Sequence, residues 1–131
     1  MVDEQLIETG DFSDNSGYEA MKRLLARHPD AVFAASDVMA VGAMRAAREA
    51  GLGIPDDVAF VGFDDLPLAE NSLIKLTTVR QPISRLGAHA VELLLDVIAT
   101  GIKPLRHVIL GTELIVRESC GAKKLEAVSS G

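Results

Sequence analysis

Val58-Ala59-Phe60-Val61-Gly62-Phe63-Asp64-Asp65 is a run of apolar residues that stops abruptly at two adjacent carboxylates. A continuous apolar run with polar residues at its end is what a strand buried on both faces of a parallel sheet requires. The two acids then stand at the strand's carboxyl end, the edge outside which open α/β sheets bind their ligands. They are candidates to hold a small molecule, to do chemistry, or simply to face water.

Upstream of this run, strand and helix signals alternate. Leu6-Ile7-Glu8-Thr9 reads as a short strand, followed by the polar loop Gly10 to Gly17 with several N-cap candidates. Tyr18, Met21, Leu24 and Leu25 recur at helical spacing, and His28-Pro29-Asp30 stops that helix. Ala31-Val32-Phe33-Ala34-Ala35 is a second short buried strand. Ser36-Asp37 caps a helix bearing Val38, Val41, Met44 and Ala47, which ends at Gly51 before Gly53-Ile54-Pro55. Strand, helix, strand, helix, strand with short links predicts a parallel sheet flanked by helices, joined by right-handed crossovers.

Downstream the pattern loosens. Leu76-Thr77-Thr78-Val79 reads as a fourth strand, and Pro82 stands where a helix starts. Ile83, Leu86, Ala90, Leu93, Leu94 and Val97 form an apolar stripe on that helix, which Gly101 closes. Few later elements remain to cover the stripe, so its partner is expected outside this chain, either in a longer protein or in a swapped dimer. Val108-Ile109-Leu110 and Leu114-Ile115-Val116 suggest one or two final strands, and 121–131 reads as a disordered tail.

Composition sets limits. The chain has 131 residues, enough for one modest core and too few for two full domains. Its net charge of −6, with no basic cluster, argues against gripping a phosphate backbone by itself. One cysteine, Cys120, excludes an internal disulfide. No charged-then-apolar leader stands at Met1 and no apolar run is long enough to span a bilayer, so a soluble, cytoplasmic protein without membrane partners is expected.

Catalytic patterns find little support. There is no G-x-S-x-G elbow, no G-x-G-x-x-G, and no G-x-x-x-x-G-K-[ST] run. Cys120 has only His107 as a conceivable base, and His28, His89 and His107 share no metal-ligand spacing. Asp37, Asp64 and Asp65 together resemble a carboxylate cluster for a divalent ion; the plainer reading is that Asp37 caps its helix and Asp65 begins a turn. Asp64, first past the buried strand, suits hydrogen bonds from two hydroxyls or amines of a ligand. No enzyme activity, metal or other cofactor is expected.

Five linked motifs resemble the LacI/GalR family of bacterial transcription regulators. They are Gly10-Asp11-Phe12-Ser13 with Ser16-Gly17-Tyr18; Ala35 to Ala43; Val61-Gly62-Phe63-Asp64-Asp65; Leu76 to Pro82; and Thr112-Glu113-Leu114 with Arg117-Glu118-Ser119. Their order and spacing agree from about Leu6 to Cys120. The resemblance implies a periplasmic-binding-protein-like (type I) fold, in which two α/β lobes close on an effector. By that pattern, 1–81 is the C-terminal lobe, truncated at its N-terminal edge, 82–106 is a helix of the other lobe, and 107–120 are return strands. The resemblance also implies residue roles. Asp64 stands where the family's carboxylate holds sugar hydroxyls or a purine, Phe12 where an aromatic ring stacks on the effector, and Ser36 where many members have an Asn. Gln81 resembles an effector-side residue with Ile83 as an apolar wall. The Val38 to Arg48 helix, with Val41 and Arg45 on one face, resembles the element that pairs two protomers, and Asn71-Ser72 falls at a further dimer contact. The implied partners are a sugar-like effector, a second copy, and DNA through a headpiece without counterpart in this chain. Two alternatives stay open: a secreted sugar-binding protein of a transporter, and a small metal-dependent α/β enzyme using Asp37, Asp64 and Asp65.

Overall fold

The computed structural model describes residues 3–101 and 106–122. Four strands form one sheet in the order β1 (Ala31–Phe33), β2 (Ala59–Asp64), β3 (Thr77–Arg80), β4 (Glu113–Ile115). β1 and β3 both run parallel to β2, with Phe33 opposite Val61 and Asp64 opposite Arg80. The helices are α1 (Asp14–Leu24), α2 (Asp37–Glu49), the short α3 (Pro67–Asn71) and α4 (Ile83–Thr100). The parallel sheet with intervening helices is the α/β architecture expected from the sequence.

Local chemistry explains the boundaries. Ser13 and Ser36 are the N-caps of α1 and α2, each accepting a backbone N–H three residues on, from Ser16 and Met39. These bonds satisfy donors that the first helical turn leaves without intrahelical partners. His28, at φ 50, turns the chain out of the 3-10 turn Leu25–Arg27 that comes after α1. Gly101, at φ 78, ends α4 as its sequence position predicts.

The core lies between α1, α2 and the sheet. Met21, Met44, Val58, Phe60 and Leu76 are buried there together with Ala40, Ala43, Ala46 and Ala47. Burying each of the large side chains contributes about 1.5–3 kcal/mol. α2 therefore turns its small residues inward, and Val38 and Val41 sit half-buried at its margin rather than in the core stripe. The small face permits close approach. A Cβ on Gly42 would lie 2.0 Å from the Asp14 carbonyl oxygen, and one on Gly17 would lie 2.1 Å from that of Met39. The two helices thus cross backbone to backbone at this pair of glycines.

Two strand expectations need correction. Leu6-Ile7-Glu8-Thr9 is not a strand: a 3-10 turn covers Glu4–Leu6, and residues 7–10 have no regular structure. A strand needs a ladder partner, and no described strand pairs with this segment. It instead lines a groove of about 630 Å³ together with residues of α1 and β1. β1 is likewise not buried on both faces. It is the outer strand of the sheet, and its Phe33 is exposed. Of the one or two final strands expected, one forms, the three residues of β4, while Val108-Ile109-Leu110 has no regular structure. The expected tail at 121–131 lies almost wholly outside the described residues.

Gln81–Glu113 forms one compact unit, and the chain on either side of it forms the other. The apolar stripe of α4 belongs to the smaller unit, and none of its residues is buried.

Candidate functional site

The carboxyl edge of the sheet is built from the residues just past the end of each parallel strand. After β1 comes Ser36, buried, with its hydroxyl committed to the cap of α2. At the end of β2 the chain turns through Asp64, its last residue, at φ 110 and Asp65 at φ 58. Two successive non-glycine residues at positive φ cost about 1–3 kcal/mol each and persist only where their surroundings over-determine them.

Those surroundings are polar and mostly buried. Asp37, fully buried at the start of α2, accepts the Thr78 hydroxyl on Oδ1 at 2.6 Å and the Leu66 backbone N–H on Oδ2 at 2.7 Å. Thr78 Oγ1 accepts the Asp65 backbone N–H in a longer, 3.4 Å contact. The Asp65 carboxylate is gripped twice, by Arg117 Nη2 at 2.7 Å and Arg80 Nε at 2.6 Å. Arg117 also donates to the Leu76 carbonyl at 2.9 Å, and its backbone N–H donates to Thr77 Oγ1 at 2.8 Å. Two residues on, buried Ser119 donates to the Phe60 carbonyl at 2.7 Å and accepts the Thr77 N–H at 2.8 Å. The return segment is thereby tied to both β2 and β3.

The two acids flanking Asp64 in this cage carry opposite perturbations. Burial pushes the Asp37 carboxyl up, against the hydrogen bonds from Thr78 and Leu66 that favour its charged form. Burial acts on Asp65 in the same sense, but there the hydrogen bonds and charges of Arg117 and Arg80 outweigh it and hold the carboxyl below its ordinary range.

Phe12 occupies a second structured loop. Asp11 Oδ1 accepts both the N–H and the hydroxyl of Ser13, which holds its carboxyl at about 2, and the Asp11 N–H donates to Ser16 Oγ. Between these two pinned neighbours Phe12 adopts φ 67 and leaves 66% of its surface exposed. A Cβ on Gly10 would lie 2.7 Å from Met39 Sδ, so this loop packs at the N-terminal end of α2, the end nearest β1 in the chain. Ser36 and Asp64 therefore stand at one edge of the sheet, and the loop that carries Phe12 packs against Met39 in the first turn of α2. Gln81 and Ile83 lie in the other unit, Gln81 half-buried and Ile83 exposed as the first residue of α4.

The dimer candidates have internal partners. Arg45 pairs with Asp14 and stacks 4.3 Å from the Tyr18 ring, whose hydroxyl donates to Glu49 at 2.6 Å. Asn71 Nδ2 donates to the Pro67 carbonyl, and the Ser72 hydroxyl lies within hydrogen-bonding distance of the Ala69 and Ile74 carbonyls. Val38, Val41 and Arg45, three and four residues apart, share one line of α2.

Sequence reasoning read Asp37 as a cap and Asp65 as a turn residue. Ser36 is the cap, Asp37 is a buried anchor, and Asp65 is both a turn residue and the centre of an ion-pair cluster. One signal pointed to this: Gly62 interrupts a buried strand, and a Cβ there would lie 2.3 Å from Asp37 Oδ1. With Asp37 and Asp65 engaged in this way, the three acids are not arranged as a cation site. No group of three or more His, Cys, Asp or Glu side chains among the described residues could hold a metal ion. No described helix is long and apolar enough to cross a membrane.

The polar, strained corner stands at the carboxyl edge of a parallel sheet, the place where open α/β sheets bind their ligands. Residues 2–120 match the family of periplasmic binding protein-like domains. The chain belongs to that family, and within it to the effector-binding region of LacI/GalR-type regulators. It is 47% identical over 121 residues to the HTH-type transcriptional regulator CelR of Thermobifida fusca, covering 89% of this chain and 35% of that protein. It is 40% identical over 121 residues to the HTH-type regulator MalR of Clostridium butyricum, covering 91% of this chain and 36% of that protein. Among solved structures, a CelR–cellobiose complex superposes with a TM-score of 0.86 at 43% identity, over 91% of this chain and 37% of that one. The lac repressor dimer bound to operator superposes at 0.78 and 33% identity, over 85% and 39%. The chain thus spans little more than a third of the length of these relatives.

Proposed function

We propose that this chain is the effector-binding and dimerisation part of a cytoplasmic, DNA-binding transcription regulator that responds to a sugar and catalyses no reaction. The observation that carries the reading is the Asp64 corner, a carboxylate held at strained φ at the carboxyl edge of a parallel sheet. Such a carboxylate accepts two sugar hydroxyls, and the exposed Phe12 ring offers an apolar face for stacking on a pyranose. The cellobiose-bound relative supports a sugar as the ligand class. Ser36, Gln81 and Ile83 enter the reading through the family pattern; the buried Ser36 hydroxyl acts first as a helix cap.

The margin of α2 at Val38 and Val41, with Arg45 and the Asn71-Ser72 loop, would meet a second copy. The dimeric lac repressor relative supports this. Effector binding would shift the population of lobe orientations, and the dimer would transmit the shift to DNA-binding headpieces.

Titration calorimetry of the full-length protein with cellobiose tests the site. Asp64→Asn should weaken binding by at least about tenfold, the value of a charge-assisted hydrogen-bond pair. Undiminished cellobiose affinity in that variant would remove Asp64 from the site.

A further inference from the structure

We propose that Asp37, Thr78 and Arg117 are positioning residues, which hold the Asp64-Asp65 corner in its left-handed conformation and so fix where the Asp64 carboxylate is presented to the ligand. The inference rests on the role of Asp64 proposed above.

The anchors surround Asp64 along the chain. The Asp65 N–H donates to Thr78, the Asp65 carboxylate accepts from Arg117 and Arg80, and the Leu66 N–H donates to Asp37. They come from α2, β3 and the segment after β4, so three separate stretches of chain converge on one turn. Thr78 is central because its hydroxyl donates to Asp37 while accepting from Asp65, joining the two anchors. Arg117 is suited to its place by its planar fork, which reaches the Leu76 carbonyl and Asp65 together; an ammonium group would make only one of these contacts well. Gly62 leaves the space that the Asp37 carboxylate occupies. None of the three needs to touch the ligand. Their effect passes through the backbone of residues 64–66, where a φ of 110 and a φ of 58 would otherwise relax toward the ordinary extended region.

The experiment compares Thr78→Val, Thr78→Ser, Arg117→Lys and Asp64→Asn in the full-length protein. It reads cellobiose affinity by calorimetry and hydrogen–deuterium exchange over residues 62–68 in the absence of ligand. Thr78→Val keeps the side-chain shape and removes the hydroxyl; it should speed exchange at the corner and weaken cellobiose roughly tenfold. Thr78→Ser restores the hydroxyl and should return both readouts to the wild-type values, which a purely structural contribution of the methyl group would not do. Arg117→Lys should move both in the direction of Thr78→Val. Asp64→Asn should lose affinity while exchange stays as in the wild type. Loss of affinity in Asp64→Asn with full affinity in Thr78→Val and Arg117→Lys would overturn the positioning inference alone. Full affinity in Asp64→Asn would overturn the proposed site and this inference with it.

Discussion

α2 and α4 are both amphipathic and each comes directly after a parallel strand, yet α2 buries seven of its thirteen residues and α4 buries none of its eighteen. The surface available to each helix separates them. α2 presents Ala40, Gly42, Ala43, Ala46 and Ala47 to its neighbours, so α1 and the sheet approach closely enough to exclude water. α4 presents Leu86, Val91, Leu94, Leu95 and Ile98, all exposed. Periodicity identifies which face of a helix is apolar, but burial also requires a surface shaped to meet that face.

The contrast between the two helices breaks most readily in the core. Met44→Ala on α2 should cost about 2–5 kcal/mol in urea unfolding monitored by circular dichroism, through lost transfer energy and the cavity left behind. In this 131-residue chain, Leu94→Ala on α4, where the side chain is 58% exposed, should change stability by less than about 0.5 kcal/mol. Equal costs would mean that α4 is covered in solution.

Glycine sharpens the contrast at a smaller scale. Gly42→Ala drives a methyl group into the Asp14 backbone and should destabilise by about 2 kcal/mol. Gly87→Ala, with nothing within 4 Å of the added Cβ, should instead stabilise by about 0.5–1 kcal/mol through helix propensity. Thermal melts of the two variants should therefore shift in opposite directions.

The smallest effect is one of pH. Asp65 is held below its ordinary range, so its contribution is present above the unfolded carboxylate value and is lost as pH falls through the lowered one. Asp37, raised by burial at the opening of α2, has the opposite sign: stability falls as pH rises from the unfolded value through the raised one. Asp65→Asn should flatten the acid limb of a stability–pH curve, and Asp37→Asn should flatten the decline on the higher-pH side. An acid limb as steep in Asp65→Asn as in the wild type would remove the ion-pair cluster as its source. The first turn of α4 carries no acidic residue to contribute in this way.

Much of the fold is legible in the chain itself, for reasons that differ by residue. The run Val58 to Asp64 reads as a parallel strand and forms one over Ala59–Asp64, buried on the face of Phe60 and Gly62 and half-buried on the other, and Ser13, Ser36, His28 and Gly101 mark helix ends through their own side-chain or backbone chemistry. Leu6-Ile7-Glu8-Thr9 and Val108-Ile109-Leu110 have suitable strand composition but form no strand, because β structure is made by a neighbour's hydrogen bonds and composition cannot supply the neighbour.

At the candidate site the same division holds. The sequence alone determined that acids stand at the sheet's carboxyl edge, that the chain lacks the motifs of phosphate, dinucleotide and nucleophile chemistry, and that its five motifs match a regulator family. It read Asp37 as a cap, Asp65 as a turn residue and Asp64 as a ligand contact, and missed the assignment of Asp37 as a buried anchor and Asp65 as the centre of an ion-pair cluster. That assignment depends on Thr78, 41 residues from Asp37, and on Arg117, 52 residues from Asp65. Only the folded chain brings those partners within hydrogen-bonding distance, and a carboxylate's burial, charge state and direction are set by what surrounds it in space.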